Sequence, residues 1–260
     1  MYISKKIIMH LNKSNTIVVI IMGPPGAGKG TQAELLVKSR NLIHFDTGRY
    51  LEELLYNPAF KNNEIIQKQR EFFESGKLVT PSWLLGQISQ RVKVFAKADL
   101  GIVVSGSPRT LYEAFGDRNH QGLMDVLEKL YGKKNIFIFR LKISDQESIK
   151  RNSQRLICTS CGLPLLKIGN CKLKINQNCP FCGGKLYRRV LDKPEIIKKR
   201  LLEYRIQTLP VIEALKKRKY QYKKLAFTKQ IKLWNSCQKY NWNPSETFKV
   251  IEECLCGVNK

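Results

Sequence analysis

The stretch that most constrains this chain is Thr16-Ile-Val-Val-Ile-Ile-Met-Gly-Pro-Pro-Gly-Ala-Gly-Lys-Gly-Thr31. Six apolar residues, Ile17 to Met22, rich in β-branched types, predict a strand buried on both faces, as inside a parallel sheet. Gly23, Gly26, Gly28 and Gly30 follow with Lys29 among them, and then Gln32-Ala-Glu-Leu-Leu-Val with helical spacing. Strand, glycine-rich loop and helix in that order bring backbone N–H groups and a helix N-terminus to one point, where they can wrap a polyphosphate. The glycines let the backbone come close, and Lys29 adds a point charge toward the β- and γ-phosphates. A glycine-rich turn without a ligand is the alternative; spacing, lysine and context together argue against it. The loop departs from G-x-x-x-x-G-K-[ST] at its last position, where Gly30 follows Lys29 and the hydroxyl arrives one residue later on Thr31.

With 260 residues and 43% hydrophobic content, the chain can bury a proper core, as one domain with insertions or two small ones. No apolar run approaches the ~18–20 residues of a membrane span. Residues 1–15 carry Lys5, Lys6 and Lys13, are broken by His10, Asn12 and Ser14, and lack a small-residue cleavage site. They read as a tail, and the expectation is a cytoplasmic protein with no membrane partner. The net charge of +25 admits a polyphosphate site, an anionic surface or a nucleic-acid partner. Basic residues are spread along the chain. The one dense run, Lys216-Lys-Arg-Lys219 with Lys223-Lys224, reads as a solvated helix end.

Cys158-x-x-Cys161 and Cys179-x-x-Cys182 form two knuckles with 17 residues between them. That spacing predicts a four-cysteine zinc site of ribbon type, structural because four thiolates complete the tetrahedral shell. Two disulfides are the alternative, disfavoured by a reducing compartment. Cys171 has no paired spacing, and Cys237, Cys254 and Cys256, in apolar context, read as buried thiols.

The loop variant Gly-Pro-Pro-Gly-Ala-Gly-Lys-Gly-Thr-Gln32 resembles that of the adenylate kinase family of nucleoside monophosphate kinases. Further segments extend the resemblance over nearly the whole chain from Thr16. It implies ATP binding by Gly26, Ala27, Gly28, Lys29, Gly30 and Thr31. Asp46-Thr47-Gly48-Arg49 is similar to the family's Ser-Thr-Gly-Asp turn, so Thr47 and Gly48 match while Arg49 stands in place of Asp. Glu52 falls where an arginine that grips the monophosphate is usual, and Arg49 is the candidate to take that task. Gly76-Lys-Leu78-Val79 resembles the segment framing the monophosphate base. Ser105-Gly106-Ser-Pro-Arg109-Thr110 resembles Asp-Gly-Phe-Pro-Arg-Thr, which makes Arg109 a contact to the acceptor phosphate. Ser105 there replaces an Asp that helps hold hydrated Mg²⁺, leaving the metal to the nucleotide, Thr31 and water. Glu113 stands at the position of a Gln that reads adenine; an ionised carboxylate only accepts, which suits guanine's two donors better.

Ser144-Asp-Gln-Glu147 predicts a helix start with a capping box, and Arg151 and Arg155, four apart, share one face of that helix. The resemblance makes both of them contacts to the transferred phosphoryl group and the donor phosphates. Arg189 and Arg200 match two further phosphate-clamping arginines, and the family's acidic pair after the first is here Leu191-Asp192. The candidate catalytic set is thus Lys29, Arg109, Arg151, Arg155, Arg189 and Arg200.

The fold this implies is α/β, a three-layer P-loop sandwich around a parallel sheet. Its core comprises 16–45, 81–155 and 194–260; a monophosphate-binding insert occupies 46–80 and a zinc-ribbon lid 156–193. The implied reaction is reversible phosphoryl transfer from Mg²⁺·ATP to a nucleoside monophosphate, with AMP the expected acceptor, Zn²⁺ structural and the protein a monomer. Alternatives are the same fold acting on GMP or a pyrimidine monophosphate, a catalytically weakened nucleotide-binding protein, and a nucleic-acid-associated zinc-ribbon protein.

Overall fold

The computed structural model describes residues 16–166, 173–226 and 246–256. Residues 1–15, Cys171 and Cys237 lie outside them, as do the side chains of Cys254 and Cys256.

The apolar run forms β1 (Val18–Met22), buried at every position. Side chains alternate along a strand, so β1 feeds two cores. Val18, Ile20 and Met22 pack on one face, and Val19 and Ile21 on the other. The chain continues through α1 (Lys29–Arg40), β2 (Ile43–Asp46), α2 (Thr47–Leu55), α3 (Glu64–Glu74) and α4 (Pro81–Lys97) to β3 (Ile102–Ser105). Then come α5 (Leu111–Phe115), α6 (Leu123–Tyr131), β4 (Ile136–Lys142) and α7 (Asp145–Ser153). After a small sheet of β5 (Arg155–Cys158), β6 (Pro164–Leu166) and β7 (Leu186–Tyr187), α8 (Pro194–Glu203), α9 (Leu209–Lys217), β8 (Gln221–Ala226) and α10 (Glu246–Cys256) complete it.

The main sheet runs β2-β3-β1-β4-β8 with every pair parallel. Leu84, Leu85, Ile88 and Val92 of α4, with α6 and α9, cover one face. Ala33 and Leu36 of α1 and Phe248, Ile251 and Leu255 of α10 cover the other. This is the expected three-layer sandwich. Strand order reverses at β1, and ligands bind at such a switch point beyond the carboxyl ends of the strands.

Two expectations are corrected. Arg155 does not share a helix face with Arg151, because α7 ends at Ser153 and Arg155 opens β5. Lys223 and Lys224 belong to β8, an edge strand on β4, and not to a helix end. Leu225 is buried, but Gln221-Tyr-Lys-Lys-Leu-Ala226 lacks the apolar run that marks an interior strand, and its lysines suit an unpaired edge.

Candidate active site

Gly23 to Gly28 curls from β1 into the first turn of α1. Lys29 Nζ donates to the carbonyls of Gly23 and Pro24, both at 2.9 Å, tying the ammonium across the loop's mouth. Gly26 has φ +74°, and a β-carbon there would stand 2.5 Å from Asn152 Nδ2, so only glycine fits. Gly28, at φ +86°, makes the left-handed step that starts α1. Helix α7 supports the loop from behind: Ser148 Oγ donates to Pro25 O at 2.6 Å, and Asn152 Nδ2 donates to Ser148 O at 2.7 Å.

Around Lys29 the structure gathers cations. Burial first, and then the charges of Arg109 and Arg200, push the Lys29 ammonium down to about 7, with Asp46 opposing and Arg155 adding to the shift. Arg200 is lowered to about 9, by burial and then by Arg109 and Arg155. Arg109 is likewise lowered, chiefly by burial. Positive groups packed until their pKa values fall make a site that awaits an anion, since a polyphosphate would restore the favourable charged states.

Carboxylates hold the guanidiniums in place. Asp192, buried, takes Arg155 in a fork, Nη2–Oδ1 at 2.6 Å and Nε–Oδ2 at 3.0 Å, and lies 4.0 Å from Arg200 Nη1. Glu52 Oε2 accepts from Arg189 Nη2 at 2.6 Å. Arg151 Nε donates to Glu147 at 2.6 Å while its Nη1 reaches Gly26 O at 3.5 Å. Arg49 does not turn into the site: it is exposed, pairs with Glu53 at 3.0 Å and faces the lid at Gly162.

Beside Arg109 a cleft is lined by Leu51, Leu78, Val79, Thr110 and Glu113 among others. Thr110 Oγ1 caps α5 by accepting from Glu113 N at 3.0 Å, which turns the Glu113 side chain back toward the strand. Its Oε2 accepts from Arg109 N at 2.7 Å, and Oε1 has no hydrogen bond. Burial drives its pKa up, against the Ser107 hydroxyl first and then the Arg109 amide and charge. Thr47 Oγ1 is also buried without a hydrogen bond, and Ser107 Oγ is buried beside Glu113. Gly106 lies between them, its β-carbon position 3.5 Å from Thr47 Cβ.

At the end of β3, Ser105 Oγ meets His44 Nε2 at 2.9 Å, and His44 Nδ1 meets Glu34 Oε1 at 2.7 Å. Asp46 Oδ1 caps α2 by accepting from Gly48 N at 2.9 Å.

In the small sheet, all four knuckle sulfurs lie within 4.8 Å of one another, with Cys158–Cys182 at 3.4 Å and Cys161–Cys179 at 3.9 Å. A tetrahedron with Zn–S of about 2.3 Å has S–S edges near 3.8 Å, so the cluster fits zinc and leaves no open coordination position. Among the described residues the buried set around it is Leu156, Leu165, Leu186 and two of the cysteines themselves.

Residues 21–220 match the model of the family described as adenylate kinase. The chain belongs to the adenylate kinase family. It is 36% identical over 200 residues to an adenylate kinase of Caldicellulosiruptor bescii, covering 76% of this chain and 86% of that one. It is 32% identical over 201 residues to an adenylate kinase of Thermosipho africanus, covering 76% and 87%. An adenylate kinase of Methanothrix thermoacetophila is 34% identical over 197 residues, covering 75% and 84%. This adenylate kinase family member is thus a phosphotransferase of the nucleoside monophosphate kinase class. Three contributors to its site have little signal in the sequence. Asp192 as the clamp of Arg155, the His44–Ser105 contact and the Glu52–Arg189 pair join residues far apart along the chain; only the charge reversal at Glu52 hints at one of them.

Proposed function

We propose that the protein catalyses reversible phosphoryl transfer from Mg²⁺·ATP to AMP, giving two molecules of ADP. The observation that carries the reading is the convergence of Lys29, Arg109, Arg155, Arg189 and Arg200 on a glycine loop at the sheet's switch point, electrostatically coupled to one another. Donor phosphates lie along Gly26 to Thr31 with Lys29 at the β/γ end, and Arg109 takes the acceptor phosphate. An oxygen of the AMP phosphate attacks the γ-phosphorus. The new O–P bond forms as the bond to the β-phosphate oxygen breaks, and the electron pair leaves with ADP. No general base is needed, because the attacking phosphate is already ionised. The protein's part is alignment and charge neutralisation. Lid residues that cover the site exclude water, which would otherwise take the phosphoryl group. The four cysteines hold zinc that folds the lid and takes no part in the chemistry.

Glu113 supports adenine once its burial is taken into account. Burial raises its carboxyl pKa and Oε2 accepts from Arg109 N, so when protonated it has an O–H to donate, the service an amide gives a ring nitrogen. An ionised Glu113 would have one oxygen left for guanine's two donors.

A coupled assay with ATP and each of AMP, GMP, CMP and UMP tests the proposal. AMP should give the highest kcat/KM, and Lys29→Ala should lower it by roughly 10²–10³, as loss of one transition-state donor does elsewhere. Turnover with no acceptor, or undiminished turnover in Lys29→Ala, would refute it.

A further inference from the structure

We propose that Asp46 anchors the hydration shell of the Mg²⁺ that accompanies ATP; the inference rests on the nucleotide reading above. In nucleotide-loop sites generally, a loop Ser/Thr hydroxyl and a strand-end Asp share the metal. Here Gly30 holds that hydroxyl's position and Thr31 follows one residue later. The strand adjacent to β1 is β3, and it ends not in a carboxylate but in Ser105, whose hydroxyl is engaged by His44 at 2.9 Å. Ser105 stands directly opposite Asp46 in the β2–β3 register. The carboxylate therefore lies one strand further out at the same height on the sheet.

Its two oxygens have different employment. Oδ1 caps α2 through Gly48 N and Arg49 N at 2.9 and 3.3 Å. Oδ2 makes no hydrogen bond or ion pair with the described residues and lies 3.8 Å from where a β-carbon on Gly30 would stand, beside the loop's last turn. From there Asp46 acts electrostatically on both Lys29 and Arg109, so its charge sits between the donor and acceptor sides. A lone negative oxygen among cations that await phosphate is suited to a divalent ion. Mg²⁺ dehydrates reluctantly and keeps several waters, so a carboxylate one strand, ~5 Å, further away can serve it through a bound water. Gly30 keeps the approach open: it stands where the general loop has its Ser/Thr, and it carries no side chain between Asp46 and the loop. The sequence expectation that only the nucleotide, Thr31 and water hold the metal is thereby extended by one residue.

Capping of α2 alone is the competing account, and it is separable. Asn and Ser are as good as Asp at an N-cap, so Asp46→Asn and Asp46→Ser keep the helix start and remove only the negative oxygen. Binding of a fluorescent non-hydrolysable ATP analogue to the full chain is titrated with and without Mg²⁺. The affinity of Mn²⁺ for the protein–analogue complex is read by electron paramagnetic resonance. Thermal melts report the cap. The expected result is a roughly tenfold or larger loss of metal affinity in both variants, the scale seen when an outer-shell metal partner is removed. Metal-free analogue binding should equal or exceed wild type, since a charge that repels phosphate is gone, and the melting temperature should be nearly unchanged. Wild-type metal affinity in both variants would overturn the proposal, as would equal losses of analogue binding with and without metal. A wild-type protein that fails to bind the analogue at all would overturn the nucleotide reading, and this inference with it.

Discussion

Thr110 turns the chain at the mouth of the acceptor cleft and folds the Glu113 carboxyl back onto the Arg109 amide, with its second oxygen unpaired. A raised carboxyl pKa means that the folded state holds the proton longer than the unfolded chain does. The neutral form's contribution to stability is complete at acid pH. It is lost as pH climbs from the usual carboxylate range through the raised value. Glu113→Gln removes that titration. The variant should therefore melt higher than wild type at neutral pH and converge with it at acid pH. Its KM for AMP should stay flat over the window in which the wild-type KM rises. A wild-type KM for AMP independent of pH would show that Glu113 does not donate to the base. Lys29 shifts the other way, down to about 7 through burial and neighbouring guanidiniums. The unliganded site thus disfavours its own charge until phosphate arrives.

At the scale of elements, the lid is the segment least able to fold by itself. Among its described residues the sheet has three strands, one of two residues, and a buried set of five side chains of which two belong to the cysteine cluster. Burial that small cannot offset the ordering entropy of some thirty residues, whereas zinc binding contributes on the order of 10 kcal/mol in small zinc modules. Stripping the metal with a strong chelator should leave the five-stranded core's melting transition in place and make the lid cleavable by protease between 156 and 187. Turnover should fall by at least roughly tenfold, because water exclusion and the Arg155 clamp go with the lid. One equivalent of zinc should restore both. A chelated protein with full protease resistance would disprove a metal-built lid. The loop, by contrast, is supported on three sides by β1, α1 and α7, and its shape follows from local sequence with Ser148 and Asn152 as struts.

Taken whole, the molecule brings α2 against the chain around the small sheet, the two segments proposed as inserts. Glu52 of α2 pairs with Arg189 at the lid's exit, and Arg49 of α2 lies against Gly162 within the lid. On the proposed reaction, Glu52 so occupies a guanidinium that would bind phosphate, and a monophosphate would displace it. The two side chains are 17% and 30% exposed, which puts the pair on the order of 1 kcal/mol after screening. Glu52→Gln should lower the KM for the monophosphate roughly fivefold. A raised KM would show instead that the pair holds the inserts in their productive arrangement. Part of the +25 charge of the chain gathers at this centre, where arginines face carboxylates and one another; Lys223 and Lys224 are on exposed surface. No described helix is long and apolar enough to cross a membrane.

The sequence alone determined what depends on near neighbours along the chain. A β-branched apolar run has to be an interior strand, glycines at 26 and 28 have to make a loop that a side chain would obstruct, and two Cys-x-x-Cys knuckles have to meet if they bind one ion. Ser144 announces a helix start for the same local reason, through a hydrogen bond set within four residues. Tertiary structure alone decided what depends on which distant groups share a low-dielectric space. It placed Arg155 on a strand against Asp192, set Asp46 opposite Ser105, turned Arg49 outward, made Glu113 a buried acid and enlisted a lysine-bearing segment as an edge strand. Charge and protonation are settled by partners and burial, and those come from folding contacts that residue order does not display.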